Sequence, residues 1–160
     1  MEVFEKYYTI AVKFLSFRPR SEKEVRNKLS EKKAPSEVID AIIKLLKEQR
    51  FINDEDFIRW WREQRTRFRP KSDRAIKQEL RRKGIDKELI EKIFAEQEMT
   101  MYSDLDKARI LVKKQLTKIN KMPLDEQYRK LGAYLARRGF DWETIKRAID
   151  DILKKQYNSF

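Results

Sequence analysis

Apolar residues recur at three- and four-residue intervals along most of the chain. Val38, Ile39, Ile42, Ile43, Leu45 and Leu46 form a broad stripe, the spacing that lets one side of a helix pack while the other stays in water. The punctuation between such stripes predicts helices at 3–16, 22–32, 36–49, 54–67, 73–83, 87–98, 104–119, 123–138 and 142–156. Ser21 with Glu24 reads as a capping box and Asp54 as an N-cap. Gly84 and Gly139 suit left-handed positions just past a helix end, and Pro123 suits a first helical turn. Each residue type supplies what the backbone lacks at that end of a helix.

The pattern repeats. Phe17-Arg18-Pro19-Arg20-Ser21 returns 51 residues later as Phe68-Arg69-Pro70-Lys71-Ser72, and at the same offset Val25 meets Ile76, Leu29 meets Leu80, Ile39 meets Ile90, Ile42 meets Ile93 and Ile43 meets Phe94. A further step of 55 residues carries Leu80-Arg81-Arg82-Lys83-Gly84-Ile85-Asp86 onto Leu135-Ala136-Arg137-Arg138-Gly139-Phe140-Asp141, with Ile90 on Ile145 and Phe94 on Ile149. Apolar positions fall on apolar positions throughout. The expectation is an all-α chain of three tandem three-helix, helix-turn-helix-like repeats at 1–53, 54–99 and 100–160, in an elongated and curved arrangement. A unit of about 50 residues has little core of its own, so neighbours are expected to bury surface on one another. Residues 97–104, which lack an apolar stripe, read as a flexible joint.

Composition agrees with helices and narrows the chemistry. The 160 residues include only 3 Gly and 4 Pro, and 41% are charged, a high proportion of surface to core. Histidine and cysteine are both absent, which removes imidazole bases, thiolate nucleophiles, disulfides and the usual zinc ligands. No Gly-rich phosphate loop is present. The chain is therefore read as a non-enzyme without a cofactor. Met1 to Phe17 mixes charged with apolar residues and no later run is apolar enough to span a bilayer, so a cytoplasmic protein with no membrane partner is expected.

The formal net charge is +12, a field that attracts polyanions. Residues 59–83 hold 11 basic and 3 acidic side chains, hence +8 of that total. On the helix expected at 73–83, Arg74, Lys77 and Arg81 project to one side, since steps of three and seven residues return to nearly the same azimuth. The first of these positions is also basic in the other copies, as Lys23 and Arg129. Upstream, Arg59, Arg62, Arg65, Arg67 and Arg69 interleave with Trp60, Trp61 and Phe68, a mixture suited to stacking on bases or filling a partner's pocket. Trp61 aligns with Ile10 and is assigned to the interior, leaving Trp60 as the contact. The candidate set for binding a nucleic acid or a protein partner is Arg59, Trp60, Arg62, Arg67, Arg69, Lys71, Arg74, Lys77, Arg81, Arg82 and Lys83. An ordinary solvated face is the competing reading of such a stripe. The triplet Asp54-Glu55-Asp56 is read as a helix start stabilised by the macrodipole rather than as a metal site.

These strings taken together resemble the RecX regulatory proteins, which modulate the bacterial recombinase RecA. The resemblance rests on Arg18-Pro19-Arg20-Ser21 with Glu24 and Leu29, on Phe51-Ile52-Asn53-Asp54 with Phe57, on Glu79-Leu80-Arg81-Arg82-Lys83-Gly84-Ile85, and on Leu135-Ala136-Arg137-Arg138-Gly139-Phe140 with Ile145. The first copy departs from the family at Lys32-Lys33-Ala34-Pro35, where the others have a basic-Gly-apolar-Asp turn. The resemblance implies a regulator, mainly an inhibitor, that lies in the groove of the RecA–single-stranded DNA filament and blocks its growth or loosens it; a monomer is expected because a chain this basic needs no self-association to be soluble. Recombination, DNA repair and the SOS response would be modulated in consequence. The alternative from the residues themselves is a protein that binds duplex DNA directly through a helix-turn-helix.

Overall fold

The computed structural model describes residues 1–96 and 102–158, and among them every regular element is helical. The helices are α1 (Glu2–Phe17), α2 (Glu22–Glu31), α3 (Ser36–Glu48), α4 (Asp54–Arg67), α5 (Asp73–Arg82), α6 (Lys87–Glu96), α7 (Asp104–Ile119), α8 (Leu124–Arg137) and α9 (Trp142–Tyr157). They follow the sequence periodicity to within two residues wherever both ends are described. The expected joint at 97–104 lies outside the described residues for 97–101. Its far end is ordered by a capping box, in which Ser103 Oγ accepts the Asp106 N–H and the Asp106 carboxylate accepts the Ser103 N–H.

Two compact units divide the chain, one of residues 1–61 with 79–95 and the other of 62–78 with 96–160. In the first, α1, α2 and α3 pack on one another. Ala11, Val25, Leu29, Ile42 and Leu46 are wholly buried there. In the second, α7, α8 and α9 do the same around Ala108, Val112, Leu135 and Ala148. The helical apolar positions matched between copies become core, whereas the matched Phe17 and Phe68 before the middle helix stay exposed. The division falls inside α4 and inside α5.

In the first unit the C-terminal end of α5 meets the N-terminal end of α2. Ser21 Oγ donates to the Lys83 carbonyl at 2.8 Å, and Asp54 Oδ1 accepts the Glu22 N–H at 3.2 Å. In the second, the C-terminal end of α8 meets the N-terminal end of α5. The Ser72 N–H donates to the Arg138 carbonyl at 3.1 Å, and Asp104 Oδ1 accepts the Asp73 N–H at 2.9 Å. At the first junction side chains satisfy the leftover groups, the Ser21 hydroxyl the Lys83 carbonyl and the Asp54 carboxylate the Glu22 amide, whereas at the second the Ser72 amide meets the Arg138 carbonyl directly; in both, opposite ends of the two macrodipoles adjoin. Asp54 is thus not the N-cap of its own helix. Asn53 takes that role, its Oδ1 accepting the Asp56 N–H at 3.2 Å, while Asp54 caps α2.

The same junctions explain the glycines. Gly84 has φ 82° and Gly139 φ 87°, the left-handed region expected after a helix. A Cβ on Gly84 would lie 2.6 Å from Lys23 Cβ, and one on Gly139 would lie 2.7 Å from Ala75 Cβ. Lys33, in the equivalent place of the first copy, makes the same turn at φ 64°. Its N–H donates to the Ser30 carbonyl and that of Ala34 to the Leu29 carbonyl, matching Gly84 to Arg81 and Ile85 to Leu80. Lys33 is exposed, so a side chain meets no obstruction and only the backbone strain remains.

Candidate nucleic-acid interface

The first unit holds Arg59, Trp60, Arg81, Arg82 and Lys83 of the expected contact set. Arg81 and Arg82 are exposed at the last turn of α5, where the helix dipole favours cations, and neither forms an ion pair among the described residues. Lys83 is more constrained, with its ammonium 3.0 Å from Glu24 and 5.2 Å from the centre of the Trp61 ring. Arg59 lies 3.8 Å from Glu55 and 3.7 Å from Asp56.

The division of labour expected for the two adjacent tryptophans is not sharp. Both are half-buried, and both pack against Phe57, with ring centres 6.0 Å apart for Trp60 and 5.7 Å for Trp61. Trp61 donates its indole N–H to Glu79 at 2.8 Å, which is why it does not sink further into the interior. The Arg18 guanidinium lies 5.9 Å from Trp60 and 5.8 Å from Trp61, close enough for cation–π attraction.

Beside Trp60 runs a groove of about 480 Å³ whose cations are Arg18, Arg20 and Arg50. Sequence reasoning missed all three. Arg18 and Arg20 belong to the recurring Phe-Arg-Pro-basic-Ser string, which reads as a repeat marker and says nothing of where it points. Arg18 forks onto Glu24 at 2.5 and 3.4 Å, and Arg20 lies 3.9 Å over the Phe14 ring. Burial, then the Arg18 cation, holds the Arg20 pKa below its ordinary value. Arg50 sits at φ 58° after α3 and Phe51 next to it is 55% exposed, so the groove joins an exposed ring to guanidinium groups.

The second unit holds Arg62, Arg67, Arg69, Lys71, Arg74 and Lys77. Arg69 is exposed and forms no ion pair among the described residues. Arg67 is exposed beside Glu63 at 3.5 Å, and Arg74, also exposed, donates to the Gly139 carbonyl at 3.3 Å. Lys71 and Lys77 are half-buried. Arg62 must be corrected, because it is 3% exposed and belongs to the interior. Its guanidinium donates to Asp73 at 3.1 Å, and the buried Lys107 approaches the same carboxylate at 2.9 Å and Asp104 at 3.2 Å. Two buried cations are tolerable because two carboxylates neutralise them. The alternation of arginines with aromatics hid this, since Arg62 occupies a core position of α4 without being apolar.

Residues 8–46, 53–92 and 102–149 match, in chain order, the family descriptions "RecX, first three-helix domain", "RecX, second three-helix domain" and "RecX, third three-helix domain". The chain belongs to the RecX family. It is 32% identical over 148 residues to the "Regulatory protein RecX" of Finegoldia magna, covering 90% of this chain and 70% of that one. The corresponding protein of Bacillus velezensis is 32% identical over 146 residues, or 91% of this chain. This chain spans only 55% of that relative's length. The fold is that of the crystal structure of RecX from Lactobacillus salivarius, with a TM-score of 0.75 at 24% identity over 94% of this chain and 96% of that one. Three tandem RecX three-helix domains are thus the architecture of the chain. No described helix is long and apolar enough to cross a membrane.

Proposed function

We propose that this chain regulates the RecA recombinase, mainly as an inhibitor, by binding in the groove of the RecA–single-stranded DNA filament and blocking its growth or destabilising it. The observation that carries this reading is the ordered match to all three RecX domains. The charge distribution supports it. Arg69, Arg81 and Arg82, exposed and with no ion pair among the described residues, lie in the segment that supplies +8 of the net +12, and such guanidinium groups are suited to DNA phosphates or to acidic protein surface. On this reading the chain acts by occupancy rather than by chemistry, in the cytoplasm and as a monomer, and thereby modulates recombination, repair and the SOS response.

The test is RecA-catalysed ATP hydrolysis on single-stranded DNA with substoichiometric amounts of this chain, read alongside filament length. Hydrolysis is expected to fall and filaments to shorten. Unchanged rate and length would sink the proposal, and sequence-selective binding to duplex DNA would point instead to the helix-turn-helix alternative.

A further inference from the structure

The faces of the first and third repeats that correspond at an offset of 106 residues differ in a way that core packing does not require. In the first repeat Arg26 closes the space between α2 and α3. Its Nε donates to Glu22 at 2.9 Å and its Nη1 to Asp40 at 2.7 Å. Those three positions become Tyr128, Gly132 and Lys146 in the third repeat. The bridging arginine has been replaced by hydrogen and its two carboxylate partners by a ring and a cation. What remains between α8 and α9 is a groove of about 460 Å³ floored by Ile145 and Ile149.

Three features make this groove more than a packing defect. Trp142, at the first turn of α9, is 74% exposed on its edge, although so large an apolar surface is costly in water. Gly132 lies inside α8 with ordinary helical dihedrals, and a Cβ there would meet only Ile145 Cγ2, at 4.0 Å. Nothing in the described chain therefore requires glycine at a site where it weakens the helix, and its effect is to let an outside group approach the backbone. Finally, Arg129 and Lys146 are exposed on the rim with no ion pair among the described residues. The Tyr128 hydroxyl, bonded to Asp150, fixes the opposite wall.

We infer that this groove of the third repeat docks a protein segment that inserts one apolar side chain beside Trp142 and sets flanking carboxylates against Arg129 and Lys146. A nucleic-acid base fits less well, because the floor offers no donor or acceptor to its edge and would strip its ring nitrogens and oxygens of water. The identity of the partner rests on the function proposed above, which makes it the RecA protomer.

Three variants of the full chain test this, namely Trp142→Ala, Gly132→Leu, which fills the groove with a good helix former, and Gly132→Ala, which leaves it open. Affinity for RecA without DNA should fall at least tenfold in the first two and hold in the third, while affinity for oligothymidylate is unchanged in all. Unchanged RecA affinity in the first two overturns the inference. So does a loss that falls on oligothymidylate instead, which would make the groove a nucleic-acid site. A second probe does not depend on RecA. In protein labelled with 5-fluorotryptophan, anilinonaphthalene sulfonate, an apolar ring system with an anion attached, should shift the Trp142 fluorine resonance in the wild type and not in Gly132→Leu. A wild-type chain that shows this shift but no affinity for RecA overturns the choice of partner and not the chemistry of the groove. Absence of the shift overturns the groove itself.

Discussion

At the residue scale, the turn after the middle helix is the clearest place to separate backbone demand from packing demand. Lys33, Gly84 and Gly139 share the left-handed conformation, yet only the two glycines have another helix end within 2.7 Å of where a Cβ would lie. Lys33→Gly should therefore relieve strain and stabilise the chain by about 1 kcal/mol. Gly84→Ala combines strain with a clash against Lys23 and should cost more than about 2 kcal/mol. Urea midpoints of the two variants against wild type check the pair; effects of equal sign would contradict the assignment. The glycines and their turns were legible in the sequence because left-handed backbone selects residue type directly. The clash was not, since Lys23 and Gly84 lie 61 residues apart. Arg62 shows the reverse difficulty. It counts as charge in any composition, but its register on α4 and the carboxylate of Asp73 place it inside.

Among the elements, the contact between the end of α5 and the start of α2 carries a pH dependence. Burial pushes Glu24 upward, but hydrogen bonds from Arg18, the Ser21 N–H and Lys83 outweigh it and leave the carboxyl below its ordinary value of 4.5. Glu22 behaves alike, with Lys47 and Arg26 outweighing its burial. A carboxylate whose folded pKa is depressed contributes stability above its unfolded value and loses that contribution as pH falls through the folded one. Asp54, raised by burial, works in the opposite sense, so Glu24 is best isolated by substitution. Glu24→Gln should be less stable than wild type at pH 7 and should lose less on acidification below about pH 4.5. Denaturation midpoints between pH 3 and 7 measure this, and parallel curves for the two proteins would remove Glu24 from the account. The capping box itself was readable from Ser21 and Glu24, whereas the tie to Lys83 required the fold.

Across the whole molecule, three copies alike in core differ in surface. The central segment concentrates positive charge, and the third copy opens a groove where the first has a closed ion-pair cluster. If exposed arginines of α5 neutralise phosphates, Arg81→Gln with Arg82→Gln should weaken binding to single-stranded DNA. The dependence of log K on log salt should become shallower by about 1.4, at roughly 0.7 for each phosphate that is no longer neutralised, with helical content and melting temperature retained. An unaltered salt slope would mean that these side chains are merely solvated. The sequence by itself determined the helices, the triplication, the apolar stripes that form the cores and the family, because periodicity is local and apolar register survives repetition. Only the tertiary structure decided which cations are exposed, which are buried among carboxylates, and where a missing side chain leaves room for a partner. Those properties depend on side chains brought together from distant parts of the chain, and a linear pattern of residue types does not encode the distances between them.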